Sequence, residues 1–218
     1  MKLILAALAL SLPGQAPALP TLAVAPANDA GQLARLLVPE RAMLDLIMVA
    51  IRNEAKRRPP FAGDPAMTDF VLKRMQPDIL QMVREAVPEL RVELTKIFST
   101  EMTPGEIGDV YAFFASPAGQ RLQQIGFEVV AENPSADSAE HQRIAVERFT
   151  ASITPADIPA LTAFGSSAGA RKMKTVAPKT TAASEAWAQR VIARHGTRID
   201  AIRTQAIADY RKQKGIGQ

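Results

Sequence analysis

Thr103-Pro104-Gly105-Glu106 leaves the backbone few ways to continue. The threonine oxygen suits an orphan amide at a helix start, and proline suits the first helical position. The glutamate, at the third, can reach back to the cap. Ile107, Val110, Tyr111 and Phe114 then share one helical face, and Ser116-Pro117 caps a second helix carrying Leu122, Ile125, Val129 and Val130. The same start recurs 51 residues later, at Thr154-Pro155-Ala156-Asp157. Ile158, Leu161 and Phe164 stand where Ile107, Val110 and the run from Tyr111 to Phe113 stood. Ser166-Ser167-Ala168-Gly169 corresponds to Ser116-Pro117-Ala118-Gly119, with one residue lost between. Two units, near 102–122 and 153–173, are too few for a solenoid. They predict two similar helix–turn–helix elements, an internal duplication, within an irregular all-α bundle of six to eight helices and no sheet.

The rest of the chain keeps the helical period. Leu33, Leu36, Leu37, Leu44, Ile47, Met48 and Ile51 predict a first helix over 28–52, ended by Arg57-Arg58-Pro59-Pro60. Asp64-Pro65 opens a long apolar-periodic stretch to 99, in which Pro77 predicts a break and Pro88 a kink. A further helix is expected over 138–151. Few aromatics, 5%, leave Leu, Ile, Val, Met and Ala to fill the core, a helix-favouring set. Met43, Met48, Met67, Met75, Met82 and Met102 are read as core filling rather than as an adaptable groove. The bundle is expected to span 28–169. Lys172, Lys174 and Lys179, with threonines around Pro178, then predict a solvated basic linker over 170–183. From 184 to 218, Ala188, Ile192, His195, Ile199, Ile202 and Ala206 predict an amphipathic helix with a narrow stripe, loosened near Gly196.

Met1-Lys2, followed by the apolar run Leu3 to Leu12 and Pro13-Gly14, has the pattern of a secretory signal peptide over 1–27, with Ala25-Pro26-Ala27 as the favoured cleavage site. The run is too short to span a bilayer stably, and a cysteine for lipidation is lacking. The expectation is a soluble periplasmic or secreted protein, the alternative being an uncleaved anchor. The absence of cysteine also excludes disulfides, thiol nucleophiles and cysteine zinc sites.

Residues 65–125 carry a resemblance. Ile97-Phe98, Met102-Thr103-Pro104-Gly105-Glu106-Ile107 and Ala112-Phe113-Phe114-Ala115-Ser116-Pro117-Ala118-Gly119-Gln120-Arg121-Leu122 are similar to the pattern of a bacterial exported family known only as a domain of unknown function, DUF 2059. Phe114 takes the place often held there by tyrosine. The resemblance implies a small helical bundle in the cell envelope, supplies no catalytic residue, and stops near residue 170.

Gly165-Ser166-Ser167-Ala168-Gly169 fits the Gly-x-Ser-x-Gly elbow, but that motif needs a strand before the serine. Here a capped helix precedes it. A serine hydrolase would use Ser167 with His141 or His195, the only histidines. Both are read instead as surface or half-buried helix residues, and Asp45 as an acid facing water. Lys56-Arg57-Arg58 and Arg171-Lys172-Met173-Lys174 could meet an anionic membrane surface. With 26 basic and 22 acidic residues, however, the charges nearly balance, and nucleic acid is not expected as a partner. No metal site or cofactor is expected. The predicted role is a non-catalytic envelope interaction or structural module with a protein, peptide or lipid partner. The alternatives are the hydrolase and the peripheral membrane binder.

Overall fold

A computed structural model describes residues 29–57, 64–133 and 136–215. The expected signal peptide and the side chains of Lys56, Arg57 and Arg58 lie outside the described residues. Among the described residues eight α-helices follow one another: α1 (Ala30–Leu37), α2 (Glu40–Arg57), α3 (Pro65–Glu101), α4 (Pro104–Ala115), α5 (Pro117–Glu132), α6 (Ser138–Ser152), α7 (Ile158–Ser166) and α8 (Ala168–Gln213). A 3-10 turn over Pro155–Asp157 precedes α7. The fold is all-α, with no strand among the described residues. None of these helices is long and apolar enough to cross a membrane.

The two longest helices form the spine. Along α8, Lys179 bonds Glu101 at 2.6 Å, Arg190 bonds Glu93, Arg194 bonds Glu89 at 2.5 Å and Arg198 bonds Asp78 at 2.9 Å. Numbers rise on one helix as they fall on the other, so α3 and α8 are antiparallel. The cations all come from α8 and the acids all from α3. At the far end Tyr210 donates to the Asp64 carboxylate, which also caps α3 by accepting from the Met67 amide. Between the helices Trp187 is buried and donates its indole N–H to the Ala86 carbonyl at 2.9 Å. Helices α1 and α2 cover another flank of α3, while α5 packs on α2, and α6 on α5. Helix α4 sits among α1, α5 and α8.

Several sequence expectations are corrected. The helix expected over 28–52 is two helices, because Pro39 denies a donor to the chain and Val38 leaves helical geometry. Its end is tied off from afar. Arg91 of α3 donates from both Nε and Nη2 to the Val38 carbonyl, and the Gln123 amide of α5 donates to the carbonyls of Leu36 and Leu37. The break expected near Pro77 is absent, and α3 runs through both Pro77 and Pro88. The linker expected over 170–183 lies inside α8, which runs through Pro178. These three prolines share one circumstance. Each is exposed, and so are the residues four positions earlier, Lys73, Arg84 and Lys174, whose carbonyls lose a donor. Water can take those carbonyls. Burial of Met75 and Ile79, or of Met173, Val176 and Ala177, then outweighs a helix-interior proline at about 3 kcal/mol. The stripe of α8 also differs by one residue. Val191 is buried while Ile192 is 54% exposed, and Trp187 joins the seam.

The two Thr-Pro elements keep a register of 51 without a gap. Ser116 caps α5 by accepting from Gly119, and Ser167 caps α8 by accepting from Ala170. Ser167, not Ser166, is therefore the counterpart of Ser116. The matched aromatics Phe113 and Phe164 stack on one another at 4.3 Å and 11°. The match is not complete: Ile107 is buried, while Ile158 is 51% exposed.

The two elements are joined by a buried carboxylate. Asp157 accepts from the Thr154 amide and hydroxyl, both at 2.7 Å, and from Arg121 of α5. Bonding to Thr154, above all to its amide, and then to Arg121 holds the Asp157 carboxyl below its ordinary range. A depressed carboxylate stabilises the fold above its unfolded pKa, near 4, and that contribution is lost as pH falls through the lower folded value. Asp157→Asn should therefore melt several degrees lower at pH 7, while the gap to the parent narrows below about pH 4. Thermal melts by circular dichroism from neutral to acid pH check this. A constant gap across the series would mean that the charge is not what Asp157 contributes.

Candidate functional site

The residues singled out for catalysis are not brought together. Ser167 is half-buried at the start of α8, with its hydroxyl accepting the Ala170 amide as a helix cap. His195 lies 28 residues further along the same helix, roughly 42 Å away at about 1.5 Å per residue. His141 belongs to α6, whose first turn meets α8 through Ser138 and Glu185, about 27 Å along α8 from Ser167. Neither histidine is a surface or half-buried residue: His141 is 1% exposed and His195 is 9%. His141 donates from Nε2 to the Asn133 carbonyl at 2.7 Å, tying off the end of α5 as α6 begins. His195 sits in the α3–α8 seam. Asp45 does face solvent, paired with Arg41 at 3.1 Å. Among the described residues no group of three or more His, Asp or Glu side chains is placed to hold a metal ion.

The feature that can engage another molecule is a groove between α2 and α5. Asn53 donates to the Ala131 carbonyl at one end, and Gln123 reaches α1 beside Pro39 at the other, so the two helices run parallel. Between these ties a surface groove runs along the α2–α5 contact. The groove encloses about 330 Å³, at the small end of sites that seat a ligand. Its floor is Leu46 and Ala131, and its walls carry Ala42, Val49 and Phe127. Val49 is 36% exposed, among the largest apolar side chains that α2 leaves open.

The polar lining has one sign. The ionisable residues are Asp45 and Glu128, both carboxylates. Three glutamines complete it: Gln123 donates to the Leu36 and Leu37 carbonyls, Gln120 donates to the Ala115 carbonyl, and Gln124 donates along the rim to Glu128. The amide oxygens are left without a partner among the described residues. The groove is thus apolar along its floor and edged by hydrogen-bond acceptors.

Sequence reasoning did not find this site. Its residues come from helices some 80 positions apart, and each was read only as part of its own helix. The one available signal was Val49, an apolar residue out of phase with the buried Leu46 and Ile47. Set against known proteins, the chain matches no family model, no curated protein and no solved structure.

Proposed function

We propose that this protein is a non-catalytic helical interaction module of the cell envelope, and that the α2–α5 groove is its contact face. The groove carries this reading: an apolar trough floored by Leu46 and Ala131, with Val49 open at its edge and acids on its rim. The signal-peptide pattern over 1–27 and the resemblance of residues 65–125 to an exported helical family support the envelope as its place. The partner on this reading is an envelope protein or peptide.

The alternatives draw less support. The hydrolase reading needs a base beside Ser167, and the two histidines lie tens of ångströms off. Membrane attachment through Arg171, Lys172 and Lys174 rests on charge alone: Arg171 donates to the Ser166 carbonyl, Lys172 and Lys174 have no ion pair among the described residues, and no apolar side chain beside them is as open as Val49 is in the groove.

Site-specific photo-crosslinking in cells tests the reading. A benzoyl-phenylalanine at position 49 should give discrete adducts, and one at Val92, 70% exposed on α3, should give none. Loss of adducts at 49, or the same adducts from both positions, would defeat the proposed contact face.

A further inference from the structure

We infer that the α2–α5 groove takes a short amphipathic helical segment of a partner protein whose apolar anchors are flanked by lysine or arginine. This rests on the groove being the contact face, and it specifies what that face selects.

Shape sets the length. Ala42 to Val49 covers about 10 Å of α2, and Gln120 to Ala131 about 16 Å of α5, at about 1.5 Å per residue. A partner helix of two to three turns matches that run. Its side chains at i, i+3, i+4 and i+7 would enter an apolar trough of this width, the usual way a helix is read by a groove. The enclosed volume suits a few such side chains rather than a whole folded surface.

Charge sets the sign. Asp45 and Glu128 are the groove's ionisable groups; the Gln123 amide nitrogen bonds two carbonyls, of Leu36 and Leu37, while Gln120 and Gln124 each commit one of two amide hydrogens. Acceptors then outnumber donors on the rim, and its ionisable groups carry negative charge. A partner offering carboxylates would meet like charge and unsatisfied acceptors, while lysine or arginine supplies both donor and countercharge. Arg41 neutralises part of Asp45, but its bond leaves Asp45 more than half exposed.

The assay is fluorescence anisotropy with two synthetic helical peptides and the intact protein. Both peptides carry leucine at i, i+3, i+4 and i+7; one places lysines beside the leucines and the other glutamates. The lysine peptide should bind at least tenfold more tightly, and added salt should narrow the gap. The double variant Asp45→Lys, Glu128→Lys should reverse the order. Both positions are exposed, so its melting curve should match the parent's. Val49→Asp should weaken both peptides. Equal binding of the two peptides would overturn the inference while leaving in-cell crosslinking from position 49 to stand for the contact face itself. Binding of neither peptide, or binding only to phosphatidylglycerol vesicles, would also overturn it.

Discussion

Gly119→Ala should be the most damaging single-methyl change in this chain. A Cβ there would lie 2.1 Å from the Phe113 carbonyl oxygen and 2.6 Å from the Phe114 Cα. Both are backbone atoms of the last turn of α4, so no side chain can rotate away. The corner at Ser116-Pro117 turns so sharply that the second helix starts in contact with the first. Relief would require α4 and α5 to move apart, breaking the packing of Phe113, Phe114, Ala118 and Leu122, all buried. Ordinary overpacking costs about 1–3 kcal/mol, and a backbone clash of this depth should exceed it. At roughly 2–4 °C per kcal/mol for a chain of this size, the melting temperature should fall by about 10 °C or more. Gly126, two turns further along the same face of α5, is the internal control. A Cβ there meets nothing within 4 Å, and alanine should raise stability by about 0.5–1 kcal/mol through helix propensity. Thermal melts of the two variants, followed by circular dichroism, separate steric cost from composition. Equal melting temperatures would show that the corner opens freely.

Trp187→Ala should rival it for a different reason. Trp187 is the single tryptophan, 2% exposed, and its indole spans the seam between the two longest helices. Removing the ring leaves a void lined by both helices and should cost about 3–5 kcal/mol. Trp187→Phe keeps most of the volume but strips the donor from the Ala86 carbonyl, a smaller loss of about 1–3 kcal/mol. Urea titration of both variants against the parent gives the two values directly. An alanine variant within 1 kcal/mol of the parent would mean that α8 holds to α3 by its ion pairs alone. That would be unexpected, because exposed pairs contribute about 0–1 kcal/mol each.

What could be read from the sequence divides along a physical line. Local hydrogen-bond chemistry was legible. The capping box at Thr103, with Glu106 accepting the Thr103 amide at 2.7 Å, follows from four adjacent residues. So does the cap at Asp64. The all-α class followed from periodicity that packing later used. Competition between local and long-range terms was not legible. Pro77 and Pro178 are locally helix breakers, and only burial of side chains several turns away decides that the helix continues. The lysines of 170–183 suggested a linker by composition. The buried positions Met173, Val176, Ala177 and Thr180 were in helical phase all along, and phase was the better guide. His141 shows the same limit, because its polar neighbours suggested a surface while the facing helix that buries it comes from elsewhere. The groove was the least legible feature. It runs along the contact of two helices far apart in the chain, and neither helix's own pattern records which residues the other sets beside it.

The ladder between α3 and α8 has a topological consequence. Its rungs nest: partners are 78 residues apart at Glu101–Lys179, then 97, 105 and 120, and 146 at Asp64–Tyr210. Each rung encloses the loop of the one before. Loop-closure entropy grows only logarithmically, so extending the enclosed loop from the first rung to the last adds only about 0.5–0.6 kcal/mol. Nearly the whole entropic barrier falls on the innermost rung, next to the capping box at Thr103. Once that end is shut the remaining rungs cost little more chain entropy, so hydrogen exchange along α8 is expected to be fastest near Tyr210 and slowest toward Lys179.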